Sequence, residues 1–409
     1  MDKEGVEMFS IEKFISLNVT KRSISMFKSD IDENEEILSK NIKGKTVLVI
    51  GGAGSIGSSF IKSLLPFKPT TLVVVDTNEN ALAELTRDLR STKGMYIPDD
   101  FITYPMDFAS PVFEKMFRSR AGFDIVGNFS AHKHVRSEKD IYSVEALLQN
   151  NVLHAKKLLD LLSEYLPKEY ICVSTDKAAN PVNIMGASKR IMEDVIFSYS
   201  DRFPVKTARF ANVAFSNGSL PAGFLSRIQK LQPLGAPSDV RRYFVSPEES
   251  GQICLLSCIL GENRAIFFPK LEEAQMMTFD GIATELLKAH GYEVLECSSD
   301  DEAIEKAEEL KNGSNLYPVH YSISDTSGEK PFEEFVTETE TADYDRFKSL
   351  GVITGKQIPD KIRVEKLFSD LNAAFEKETT TKEEIIGIMK QYLPNFEHIE
   401  TGKSLDSKM

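Results

Sequence analysis

The segment GGAGSIG, Gly51 to Gly57, follows the branched apolar run TVLVI and opens a helical stretch, and this junction constrains the fold more than any other part of the 409-residue chain. Gly51, Gly54 and Gly57 stand three apart. Glycine is needed where a strand turns sharply into a helix and the backbone must approach a pyrophosphate, whose charge then sits on the helix N-terminus. Ser55 and Ile56, between the last two glycines, join that expected site. Asp76 ends the next strand-like run 19 residues beyond Gly57, where a carboxylate accepts bonds from an adenosine ribose. The same carboxylate repels a 2′-phosphate, and the following TNEN offers no basic residue to receive one. The expected cofactor is therefore NAD in preference to NADP. Asp107, after FITYPM, is in position to reach the adenine amino group or to cap a helix.

The rest of the first half has the same rhythm. TLVVVD, FITYPMD, DIVGNFS, EYICVSTD and VKTARF are short, rich in branched or aromatic residues, and each is followed by a longer amphipathic stretch. That alternation predicts βαβ units and an α/β, Rossmann-like, doubly wound parallel sheet. We divide the chain into a helical N-terminal extension (1–43), a dinucleotide-binding domain (44–215) and a smaller C-terminal substrate-binding part (216–409). The last contains an α/β insertion near 271–317 and terminal helices, with a crossing of the chain back to the first domain left open.

A net charge of −13 argues against general nucleic-acid or membrane-surface binding, which need a basic face. The four cysteines lack metal-ligand spacing and read as reduced core residues, and no metal is expected. No run approaches the ~20 apolar residues of a membrane span, and the N-terminus lacks a basic, then apolar, leader; the expectation is a cytoplasmic protein.

The block from Tyr170 to Asp194, YICVSTDKAANPVNIMGASKRIMED, carries the reactive groups. Ser174, Thr175, Asp176 and Lys177 fall at the carboxyl end of a strand, where open α/β sheets bind ligands. Together with GGAGSIG, SAHKHV, RFANV, RRYF and GEKPFEEF, this block resembles the extended short-chain dehydrogenase/reductase superfamily, and within it the nucleotide-sugar 4,6-dehydratases of polysaccharide synthesis. The resemblance spans roughly Lys45 to Pro269 and resumes at Gly328 to Phe335. In place of the superfamily's Tyr-x-x-x-Lys the chain has Met185 to Lys189, as several dehydratases do.

The resemblance implies the following roles. Thr175 bonds the oxygen on sugar carbon 4, Asp176 is the acid that expels water from carbon 6, and Lys177 is the base at carbon 5. Lys189 holds the nicotinamide ribose. With Met185 in the tyrosine's place, Lys189, Asp176 or a water takes the carbon-4 hydroxyl proton. Ser130 and Ala131 flank the cofactor. Lys133, His134, Asn212, Ser219 and the diphosphate-binding Arg242 meet a nucleotide-sugar substrate, with UDP-N-acetylglucosamine preferred. The chain reads SDTSGEK where the family carries an arginine and a proline before GEK. A homodimer or higher homo-oligomer is implied, formed through helices over about 142–164 and 181–200. The rival readings are an epimerase using the same oxidised intermediate, a dehydratase that also inverts carbon 5, and a nucleotide-sensing protein that has lost catalysis.

Overall fold

A computed structural model describes residues 9–134, 138–324, 332 and 334–399. Most of the GEKPFEEF motif thus lies outside the described residues. The first six strands are β1 (Thr46–Ile50), β2 (Thr71–Asp76), β3 (Asp100–Pro105), β4 (Ile125–Asn128), β5 (Glu169–Thr175) and β6 (Val205–Phe210). Four short strands follow: β7 (Asn212–Val213), β8 (Leu234–Pro237), β9 (Arg241–Arg242) and β10 (Phe244–Val245). The last six are β11 (Ile266–Pro269), β12 (Met277–Thr278), β13 (Glu293–Cys297), β14 (Leu316–Ser322), β15 (Thr341–Asp343) and β16 (Leu350–Thr354).

Nine of these form one sheet in the order β3-β2-β1-β4-β5-β6-β11-β16-β15. It is parallel from β3 to β11, and β16 and β15 close its edge antiparallel. The order 3-2-1-4-5-6 is that of doubly wound dinucleotide-binding sheets. Both faces are buried, which is why the strands are apolar without alternation. Leu48, Ile50, Val73 and Val75 point into one hydrophobic core, and Val47, Val49, Leu72 and Val74 point into another.

The C-terminal half is threaded between this sheet and a smaller one. Helix Pro247–Leu260 packs on the large sheet beside helix Ser55–Leu64, and β11, β15 and β16 extend that sheet. In between, β8, β13 and β14 make a separate three-stranded parallel sheet whose third core includes Ile282, Leu286, Tyr317 and Val319.

The N-terminal extension serves both cores. Phe14, Ile15 and Val19 enter the third core, whereas Phe27, Leu38 and Ile42 are wholly buried against the large sheet. The Asp30 carboxylate accepts the backbone N–H groups of Lys348 (2.7 Å) and Ser349 (2.9 Å), which ties the extension to β16.

The helices expected to meet a second copy share a core with the chain's C-terminal helices. Apolar rows of helices Ile141–Leu148, His154–Leu162 and Ile184–Phe197, the elements expected to meet a second copy, pack with Val364, Leu367, Phe368, Leu371, Ile385 and Met389. Those residues belong to the chain's own helices Lys361–Phe375 and Lys382–Tyr392. The buried rows are therefore not free for a partner. Among the described residues no helix is long and apolar enough to cross a membrane.

Candidate active site

The strand order reverses between β1 and β4, so a crevice opens at their carboxyl ends, the usual ligand position of such sheets. A cleft of about 510 Å³ lies there. It brings together Gly51, Gly54, Asp76, Asp107, Ser130 and Ala131, six residues expected around a cofactor. Gly51 has φ of +69°, and a Cβ on it would lie 2.6 Å from the Ser130 nitrogen. A Cβ on Gly57 would lie 2.4 Å from the Gly51 carbonyl oxygen, so the helix can start this close to the strand only with glycine there. Gly54, the N-cap of helix Ser55–Leu64, brings no side-chain oxygen, which leaves the first-turn N–H groups for an anion.

The other members of this set have mixed surroundings. Asp76 accepts the N–H groups of Ala53 (3.1 Å) and Asn78 (2.9 Å), which fixes its carboxylate at the edge of the cleft. Asp107 lines the cleft and also accepts the Ala109 N–H at 2.8 Å, so it acts as a local cap as well. Ser55, Ile56 and Gly57 lie behind the lining, and the Ser55 hydroxyl accepts the Asn217 N–H at 2.9 Å.

At the end of β5 the chain enters a single turn, Asp176–Ala178. Three donors converge on Asp176 Oδ1: the Thr175 hydroxyl at 2.7 Å, the Lys177 backbone N–H at 2.9 Å and Lys177 Nζ at 3.3 Å. No hydrogen bond among the described residues reaches Oδ2. Asp176 is buried and Lys177 half-buried, so an acid and a base sit in contact at a strand end with limited water. Such a pair can exchange a proton directly.

The helix after this turn, Ile184–Phe197, carries Met185 and Lys189. Met185 is buried in the apolar core. Its N–H and that of Ile184 are capped by the Glu138 carboxylate at 2.8 and 3.0 Å, a helix cap supplied from 46 residues upstream. Lys189 is buried, and its Nζ donates to the Val173 carbonyl at 3.0 Å. Burial pushes its proton affinity down, opposed by Cys172 and Glu193.

The expected substrate residues are more dispersed. Lys133 and His134 are exposed, and the His134 ring lies against Gly218. Asn212, in β7, has a buried side-chain nitrogen with no hydrogen-bond partner among the described residues, a cost that a ligand oxygen would remove. Arg242 is buried in β9 and donates to the Arg241 carbonyl at 2.9 Å, whereas Arg241 pairs with Glu273 at the surface. Ser219 is the N-cap of helix Leu220–Gln229.

Sequence reasoning missed two groups. Asn151, in a π-helical turn over Gln149–Leu153, accepts the His132 N–H and donates to the His132 carbonyl and the Ser188 hydroxyl. It thereby ties the loop after β4 to the Met185–Lys189 helix. The NN pair in LLQNNVL was the available signal, since adjacent amides inside an apolar helical run need a reason. The second group is ionic. Arg209 clasps Glu193 through Nε (2.9 Å) and Nη2 (2.8 Å) and Glu340 through Nη1 (2.6 Å) and Nη2 (2.8 Å), all fully or nearly fully buried.

Comparisons with known proteins follow this geometry. Residues 47–354 match the family described as polysaccharide biosynthesis protein. An uncharacterized membrane protein of Methanocaldococcus jannaschii is 27% identical over 87% of this chain and 98% of its own. The capsular polysaccharide biosynthesis protein CapD of Staphylococcus aureus is 27% identical over 77% of this chain, which spans only 55% of that protein. A UDP-N-acetylglucosamine 4,6-dehydratase (inverting) of Campylobacter jejuni is 27% identical over 56% of this chain and 67% of its own. Among solved structures, DesIV of Streptomyces venezuelae, a dTDP-glucose 4,6-dehydratase with NAD and TYD bound, superposes with a TM-score of 0.54. At 18% identity over 71% of this chain and 87% of that one, it supports the fold alone.

Proposed function

The chain belongs to the polysaccharide biosynthesis protein family, and from that premise we propose that it is an NAD-dependent 4,6-dehydratase of a nucleotide sugar. The preferred substrate is UDP-N-acetylglucosamine, the product a 4-keto-6-deoxy sugar for surface glycan synthesis, and the site of action the cytoplasm. The observation that carries the reading is the convergence of Thr175, Asp176 and Lys177 on one carboxylate oxygen at the end of β5.

The cleft fits a dinucleotide: Gly51 lines it without room for a Cβ, Gly57 behind it likewise lets the helix start close to the strand, the first-turn N–H groups face it and its carboxylate is anchored. Gly51, Gly54, Ser55, Ile56 and Gly57 would hold the pyrophosphate, with Ser130, Ala131 and Asp107 beside the cofactor. Asp76 would hold the adenosine ribose and Lys189 the nicotinamide ribose. Asp76 favours NAD, because its carboxylate would repel a 2′-phosphate. The nicotinamide, when bound, supplies the oxidation at carbon 4 and the reduction at carbon 6.

The remaining steps belong to the chain's own groups. The Thr175 hydroxyl turns from Asp176 to the carbon-4 oxygen. Lys177 accepts the carbon-5 proton, which the neighbouring ketone has made acidic, and Asp176 delivers a proton through Oδ2 to the departing carbon-6 hydroxyl. Once carbon 6 has been reduced, Lys177 returns its proton to carbon 5, and the proton released by the carbon-4 hydroxyl restores the Asp176 carboxyl, so both groups end as they began. A buried thioether cannot act as a base, so the carbon-4 hydroxyl loses its proton to a group other than Met185. The unpartnered Asn212 amide and Arg242 would bind the sugar and the diphosphate, with Lys133, His134 and Ser219 around them.

The test is to incubate the protein with UDP-N-acetylglucosamine and catalytic NAD and to follow the sugar nucleotide by mass spectrometry. Loss of one water without net NADH is expected. An unchanged mass together with inverted stereochemistry by NMR would replace this reading with an epimerase.

A further inference from the structure

The Glu193–Arg209–Glu340 cluster touches the reacting corner through one bond. The Ser174 hydroxyl, one residue before Thr175, donates to Glu193 Oε1 at 2.7 Å. Glu193 lies one helical turn beyond Lys189, so the two share a face. Lys189 Nζ takes the Val173 carbonyl and Glu193 takes the Ser174 hydroxyl, and one helix thus grips two successive residues at the end of β5. Ser174 is also the register partner of Arg209 on β6.

The grip is itself held from three directions. Arg190 meets Glu193 Oε2 at 2.9 Å. Arg209 spans Glu193 and Glu340 and donates to the Phe335 carbonyl at 2.7 Å. Lys356, just past β16, meets Glu340 at 2.5 Å. Glu193 is held below the usual carboxylate range, because Arg209, Arg190 and Ser174 together outweigh its burial. A surface network would not need this much matching, and a purely structural core would not need charge at all.

We propose that Glu193 is a positioning residue for the acid–base corner: through Ser174 it fixes the end of β5, and Arg209, Glu340 and Lys356 hold it in place. The C-terminal segment that supplies Phe335, Glu340 and Lys356 is thereby part of the catalytic apparatus without touching substrate. The inference rests on reading Thr175, Asp176 and Lys177 as the reacting corner.

Ser174→Ala tests it on the full chain, because it removes the link and leaves every ionic contact in the cluster intact. With UDP-N-acetylglucosamine and NAD, kcat is expected to fall by about tenfold to a hundredfold, KM to stay within about twofold, and Tm to hold. Ser174→Thr, which keeps the hydroxyl, restores turnover. Backbone amide exchange across 174–177 speeds up in Ser174→Ala, a readout that needs no turnover. Unchanged kcat with unchanged exchange overturns the proposal, as does a fall in Tm with kcat intact. If the wild-type protein transforms no substrate, faster exchange still supports the clamp, and the dehydratase reading alone fails.

Discussion

Two charged groups lie within one hydrogen bond of each other at the end of β5, and they are built in opposite ways. In the Glu193–Arg209–Glu340 cluster both carboxylates take paired bonds from one guanidinium, and further cations close the flanks. In the Asp176–Lys177 pair the hydrogen bonds to the carboxylate among the described residues crowd onto one oxygen and leave the other for an incoming group. The first arrangement has no capacity left and therefore fixes geometry. The second keeps capacity in reserve, as the acid–base role proposed for it requires.

The largest effect that would break this contrast is at Lys177. Lys177→Ala is expected to cut turnover by about a hundredfold to ten-thousandfold while thermal unfolding stays close to wild type, measured by product mass and by calorimetry. Normal turnover in that variant removes the corner from the mechanism. Next, Arg209→Met leaves two buried carboxylates with only Arg190 and Lys356 as partners and should cost about 3–5 kcal/mol, read from a urea titration. A loss as small as that of a surface ion pair would mean the cluster is wetter than its burial implies.

The smallest effect is a matter of pH. Arg209 and Lys356 overcome burial and push the Glu340 carboxyl down to about 2 from an ordinary 4.5. A depressed carboxyl stabilises the fold fully above its unfolded value and loses that contribution as pH falls through its folded value. Wild type should therefore lose stability between about pH 4.5 and 2 more steeply than Glu340→Gln, and parallel Tm curves for the two proteins would refute this.

The contrast also marks what could be read from the sequence. The strands of the large sheet were legible because both of their faces are buried, so TVLVI and TLVVVD stand out as nearly unbroken apolar runs and VKTARF as a short run between longer helical stretches; each coincides with a strand. LGAP, LYPVHYS and LGVIT were not read as strands, since the first lies within a turn-rich stretch and the others follow or flank irregular segments. Their roles depend on partners distant in sequence: β8 joins β14, and β16 joins β11. Asp176 and Lys177 were legible as adjacent letters in a motif. Glu193, Arg209 and Glu340 are scattered over three elements, and only folding brings them together.

That scattering has a consequence for the chain as it is made. Arg209 enters with β6, yet Phe335 and Glu340 lie more than a hundred residues downstream. At ~5–20 residues per second of translation, on the order of ten seconds separates the guanidinium's emergence from that of its second carboxylate. Over that interval the nascent sheet lacks β15 and β16, and once β11 has emerged its edge is open to association with other chains. Completion of the sheet and the second carboxylate of Arg209 thus await the same late segment, so a ribosome stalled shortly before residue 340 carries a protein with neither.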